Sequence, residues 1–85
     1  MGKVIVDEVI FQELSLGSQG GMVVIVQKNF NAIGYNLKEN GLFDAKMDEM
    51  VRYFQRSRDN LLVDGVVGVK TMMEIDTVFV EQEKH

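Results

Sequence analysis

The sequence predicts an all-α fold, a small three-helix bundle with pseudo-repeated loop–helix units, on three observations. First, a motif occurs twice, 24 residues apart: Asn40-Gly41-Leu42-Phe43-Asp44-Ala45-Lys46-Met47 and Asp64-Gly65-Val66-Val67-Gly68-Val69-Lys70-Thr71. Each copy places a turn-forming polar–Gly pair and two apolar residues ahead of a helical pattern, so that Gly41 aligns with Gly65, Lys46 with Lys70 and Val51 with Ile75. A unit of this length repeated in tandem packs its helices on each other through matching connections. Second, apolar residues recur at three- and four-residue spacing in three stretches, the signature of amphipathic helices. Third, the chain has 85 residues, enough for one small domain that buries roughly 60–65% of its unfolded surface and too few for a catalytic and a binding domain together.

Taken in chain order, the first fourteen residues admit two readings. Val4 and Val6 alternate like a strand, whereas Val6, Val9, Ile10 and Leu14 fit one helical face. Either way these side chains cover one end of the core, and a short terminal strand pair between Val4–Val6 and Val78–Val80 stays open. The turn Leu16-Gly17-Ser18-Gln19-Gly20-Gly21 then leads into the first helix, with Ser18 as its expected cap. Val23, Val26, Gln27, Phe30 and Ile33 form its inward stripe, and Gly34 supplies the stop. The run Met22 to Val26 also suits a buried strand, but Gln27-Lys28-Asn29 and the length of the pattern favour helix.

The second helix begins at Asp44, whose carboxylate can accept from the free N–H groups of the first turn. Asp48 and Glu49 follow where the helix dipole favours anions. Met47, Met50, Val51 and Phe54 form the apolar stripe, and Arg52, Arg56 and Arg58 fall toward the end that favours cations. The third helix starts near Gly68 to Lys70 and is expected to turn Met72, Ile75 and Phe79 inward, although Thr77-Val78-Phe79-Val80 has strand-like composition. The organisation is a single domain over 1–85, with a core at 16–75 and terminal extensions at 1–14 and 76–85.

Composition excludes several functions. Apolar residues at 46% and charged residues at 26% describe a folded globular chain rather than a disordered one. No Cys is present, so disulfides and thiolate metal sites are impossible. The one His is His85 at the C-terminus. Neither a nucleophile–His pair nor a three-ligand zinc site can be assembled from this set. Asp44 and Asp48 read as helix N-terminal charges rather than an acid–base pair, and Asp59-Asn60 with Asp64 does not fit a calcium loop. The expectation is a chain that is not an enzyme and carries no cofactor or metal. A net charge of −4 argues against nucleic-acid binding. No apolar run is long enough for a membrane span. The stretch from Met1 to Glu8 is too short and too acidic for a signal peptide.

From Leu16 to Ile75 the chain resembles the small peptidoglycan-binding domain family, the three-helix module found in bacterial and phage cell-wall hydrolases. The residues that carry the likeness are Leu16, Gly17, Gly20, Val23, Val26-Gln27, Phe30 and Gly34-Tyr35. They continue with Asn40-Gly41, Leu42-Phe43, Val51 and Phe54-Gln55, and the second motif Asp64-Gly65-Val66-Val67-Gly68-Val69-Lys70-Thr71 matches in full, followed by Ile75. Departures lie in the first motif, where Asn40, Asp44 and Met47 stand for the family's Asp, Gly and Thr. Val26 and Phe30 replace its usual leucines.

The resemblance implies a non-catalytic, endolysin-associated module that binds a peptidoglycan glycan or stem peptide beside a separate cell-wall hydrolase, at the bacterial cell wall or periplasm or on a phage. Saccharide recognition needs an aromatic face for C–H surfaces and polar groups for hydroxyls. The candidates are Tyr35 on the loop after Gly34, Tyr53 off the stripe of helix two, Arg52 and Arg56 at i, i+4 spacing for a carboxylate, and Asn40 and Asp64 on the repeated loops. Gln27 and Gln55 read instead as hydrogen-bond partners of those loops, and Met47, Met50 and Met72 as core. The alternative is a structural protein–protein module that reuses the fold, as in a phage particle or secretion machine, for which an exposed apolar terminus would be the mark.

Overall fold

The computed structural model describes residues 12–83. Within them the chain forms three helices, α1 (Gly21–Ala32), α2 (Ala45–Arg56) and α3 (Val69–Glu83), and no regular strand among the described residues. The sequence stripes become the inner faces: Val23, Val26 and Phe30 from α1, Met47, Val51 and Phe54 from α2, and Ile75 from α3 are all buried. Phe30 and Phe54 meet edge to face at 5.4 Å and 87°, a geometry that sets the positive ring edge against the negative face. Met50 and Met72 pack partly buried against this core.

Local chemistry sets the helix ends. Asp44 caps α2 as expected, its Oδ1 accepting from Met47 N–H at 3.0 Å. Ser18 does not cap α1. It lies two residues ahead of the N-cap, Gly20, which offers no side chain, and its Oγ accepts instead from Ser15 N–H at 3.1 Å to close the preceding turn. Gly34 follows the end of α1 at φ 111°, the expected stop.

Residues 77–80 are helical, so the open terminal strand pair is not formed from that side; Val4–Val6 lie outside the described residues. Packing overrides the β-type composition here. Val78 rests on the core, the Thr77 hydroxyl donates to Met73 O at 3.0 Å, and Gln82 Nε2 donates to Ile33 O at 3.1 Å, fastening the last turn of α3 to the end of α1. The inward face of α3 runs through Thr71, Ile75 and Val78. Phe79 sits one step around the helix and is 41% exposed, against the expectation that it points inward.

The lead-in segment crosses both repeated loops. Leu14 exchanges two backbone hydrogen bonds with Val67, at 3.1 and 2.8 Å, while Gly17, Ser18 and Gly20 bond Phe43 and Gly41 at 2.9–3.0 Å. Leu14, Phe43 and Val67 are buried beneath these contacts. One extended stretch therefore holds the two loops side by side and seats an apolar residue of each in the core.

Candidate functional site

The repeated loops are built around buried glutamines. At the inner edge of α1, Gln27 accepts from Gly41 N–H at 2.9 Å through Oε1 and donates through Nε2 to Leu42 O at 3.1 Å. In α2, Gln55 accepts from Gly65 and Asp64 N–H at 3.0 and 3.2 Å and donates to Val66 O at 3.0 Å. Each amide thus reads a donor and an acceptor of the loop that follows, satisfying polar groups that burial would otherwise strand. Asn40 Oδ1 accepts from Leu42 N–H at 3.0 Å and Asp64 Oδ1 from Val66 N–H at 2.9 Å, the turn an Asx side chain makes with its own backbone two residues on. The glycines take φ 76° and 73°, where a side chain is strained. A Cβ at Gly65 would also stand 2.6 Å from Asp48 Oδ1 and 2.7 Å from Arg52 Nη2.

Between the end of α1 and the flank of α2 lies an open groove of about 540 Å³, lined among others by Ile33, Tyr35, Asn36, Lys46, Met50 and Tyr53. Gly34 ends α1 and turns the chain so that Tyr35 folds back onto Phe30, ring centroids 5.2 Å apart. Tyr53 projects from α2, 58% exposed, and meets Tyr35 at 6.3 Å and 67°. Burial, and then the neighbouring Tyr53, push the Tyr35 hydroxyl above the ordinary phenol value of 10.0. It therefore stays protonated, a hydrogen-bond donor at the groove. The groove is thus lined by two aromatic rings, the apolar side chains of Ile33 and Met50, an amide and an ammonium.

Lys46 also lines a second concavity of about 580 Å³ with Arg52, Arg56, Asp48 and Glu49. The two arginines differ. Arg52 is held by Asp48 Oδ2 at 3.2 Å and by Asp64 O at 3.2 Å, so it closes the second loop onto α2. Arg56 is exposed and makes no ion pair among the described residues. No cluster of three or more His, Cys, Asp or Glu suited to a metal occurs among the described residues. No helix among them is long and apolar enough to cross a membrane.

The three-helix fold is shared with known proteins. The family model for the peptidoglycan binding domain matches residues 19–75, a span that contains both loops, both glutamines and the Tyr35–Tyr53 groove. The chain belongs to this family. Among solved structures it is similar to a fused Zn-dependent amidase/peptidase/peptidoglycan-binding domain-containing protein from Clostridium acetobutylicum ATCC 824, at 34% identity and a TM-score of 0.70 over 76% of this chain. It is also similar to the Burkholderia AP3 phage endolysin, at 28% identity and a TM-score of 0.69 over 75% of this chain. The alignments span only 29% and 24% of those two proteins. No curated protein matches the chain.

Within this peptidoglycan-binding domain the six residues singled out from the sequence fall into different places. Tyr35 and Tyr53 meet in one groove, and Arg52 and Arg56 share the neighbouring concavity. Asn40 and Asp64 are engaged in their own loops, on separate concavities. Lys46 and Asn36 are not among those six. Lys46 lines three adjoining concavities and Asn36 two of them, and the available signal was the alignment of Lys46 with Lys70 across the repeat.

Proposed function

We propose that this peptidoglycan-binding domain is a non-catalytic wall-binding module that targets or accompanies a cell-wall hydrolase, at the cell wall or periplasm or in association with phage. The observation that carries the reading is the Tyr35–Tyr53 groove, which Lys46 and Asn36 also line. Aromatic faces take the C–H surface of a sugar ring, and the amide and ammonium take hydroxyl, acetamido or carboxylate oxygens. Arg56, which makes no ion pair among the described residues and lines a concavity with Lys46, extends the positive edge toward a stem-peptide carboxylate. The hydrolase partnership is supported by the names of the two solved relatives, an amidase/peptidase and an endolysin.

The test is co-sedimentation with insoluble, protein-free sacculi, competed by soluble muropeptides. Tyr53→Ala removes an exposed ring and leaves the core alone, so its thermal transition stays native while wall affinity falls roughly five- to tenfold, the worth of about 1–1.5 kcal/mol of aromatic contact. Lys46→Ala and Arg56→Ala weaken binding further as salt is lowered, where the wild-type charges contribute most. Sacculi incubated with the chain alone keep their turbidity; clearing would make it an enzyme. Native binding by Tyr53→Ala would move the site elsewhere.

A second reading, a protein–protein module, is favoured by one feature. Val69, Met73 and Val80 lie on α3 and are 60%, 61% and 53% exposed. A folded chain that stays in the supernatant with sacculi would turn the search to that face.

A further inference from the structure

The repeat extends from the sequence to the surface. A concavity of about 350 Å³ opens beside the first loop, and one of about 520 Å³ opens beside the second. Every residue lining the smaller one has a counterpart lining the larger. Gln27 and Gln55 stand at corresponding places, and the remainder are related by the 24-residue shift, Asn36 with Asn60 and Lys46 with Lys70 among them. Neither lysine makes an ion pair among the described residues, and both are exposed.

The position of the acid supports the equivalence more strongly, because the chain reaches it by two routes. In the first concavity it is Asp44. Its counterpart in the second is Gly68, which has no side chain, and there the carboxylate of Glu13 enters from the lead-in segment. A Cβ on Gly68 would stand 3.3 Å from Glu13 Oε2. Both concavities therefore set a carboxylate and an ammonium around an amide-anchored loop. They differ at the rim, where Lys38 in the first is replaced by Leu62 in the second. They also differ at the Asx position, neutral Asn40 against Asp64. The rims thus differ in charge, while each concavity keeps its ammonium, Lys46 or Lys70, at the same place in the repeat.

We infer that the domain carries two quasi-equivalent subsites, one per repeat, each taking one repeating unit of the same amide- and hydroxyl-rich polymer, so that it binds an extended wall strand bivalently. This rests on the wall-binding reading above and adds a second site to it, centred on Lys70, Asn60 and Glu13. A polymer presents many copies of one unit, and a second contact made by a strand already held is intramolecular, which raises affinity without any new chemistry.

The experiment is a titration of the ¹⁵N-labelled full chain with soluble disaccharide-peptides released by a muramidase, together with sacculus co-sedimentation of wild type, Lys46→Glu, Lys70→Glu and the double variant. The expected result is amide shifts in both 36–47 and 60–71, saturating at two units per chain. Each single variant loses the shifts of its own repeat and weakens sacculus binding by roughly tenfold or more, and the double variant does not sediment. Both lysines are exposed, so unchanged thermal midpoints should accompany these losses. If only 36–47 shifts, and Lys70→Glu sediments like wild type, the domain is a one-site module and the inference falls while wall binding stands. If the folded wild type neither shifts nor sediments, both fall together.

Discussion

The two loops share a hydrogen-bonding plan and differ in what surrounds it. The second is the more heavily tied: Gln55 accepts from two backbone N–H groups and donates to Asp64, Val66 and Thr71 Oγ1, and Arg52 bonds the Asp64 carbonyl from outside. The first is looser. Gln27 accepts from Gly41 alone, and in place of Thr71 it meets Met47 Sδ, a weak acceptor at 3.6 Å. Yet the first repeat owns the aromatic groove, since the positions 24 residues beyond Tyr35 and Tyr53 are Asp59 and Thr77. One repeat is the more heavily bonded scaffold and the other carries the aromatic groove of the proposed site.

The largest expected effect comes from the core residue beneath the second loop. Val67 is fully buried and paired through its backbone with Leu14. Val67→Asp would bury a charge with no partner, at a cost of about 3–5 kcal/mol or more against a total stability of order 5–15. Loss of a cooperative thermal transition is expected. A native melt would mean that the lead-in segment, and not the core, holds the second loop.

Next come the glutamines, which rank the loops directly. Gln55→Ala leaves two loop N–H groups and one carbonyl without their partner, and Gln27→Ala leaves one of each. With about 1–3 kcal/mol for each stranded buried group, less what water recovers, Gln55→Ala should cost about 3 kcal/mol and Gln27→Ala about 2. Urea denaturation of the two variants measures the difference. Equal losses, or the reverse order, would break the claim that the second repeat is the firmer one.

Much of this was legible in the sequence because the motif states its own physics. A polar–Gly pair followed by apolar residues and a capped helix dictates the turn, the buried Phe43 and Val67, and the start of each helix. Gln27 and Gln55, polar residues on apolar stripes, were readable as loop partners for the same reason. The site was legible only in part. Tyr35 and Tyr53 are each identifiable as amphipathic aromatics, but their meeting depends on how the end of α1 packs on α2, which local pattern does not encode. Asn40 and Asp64 look available in the sequence and are consumed by their own turns. Lys46 reads as a solvated lysine until the concavities around it exist. The helical end of α3 was hidden by the composition of Thr77 to Val80, which packing of Val78 and the Gln82–Ile33 bond override.

The smallest expected effect concerns a carboxylate outside each loop. Glu74 accepts from Arg58 Nε at 2.8 Å and from Asn60 Nδ2 at 2.7 Å, and its side chain is 14% exposed. Those two hydrogen bonds, Asn60 first and then Arg58, with the arginine charge behind them, hold its carboxyl below the ordinary 4.5. In the first repeat Glu39 is held down likewise by Asn31 and Lys28, but its lysine partner is 62% exposed. A carboxyl depressed on folding stabilises the native state above its unfolded value, and that contribution is lost as pH falls through the lower folded value. Glu74→Gln should therefore cost about half a kcal/mol at pH 7, and the difference from wild type should close as pH falls from the ordinary 4.5 through the lower folded value. Glu39→Gln should show the same sign with a smaller amplitude, more readily erased by salt. Because Glu74 holds Asn60 at the concavity beside the second loop, the same variant should also loosen the 60–71 amides while leaving 36–47 in place. A pH-independent deficit in Glu74→Gln would assign the effect to packing rather than to the ion pair.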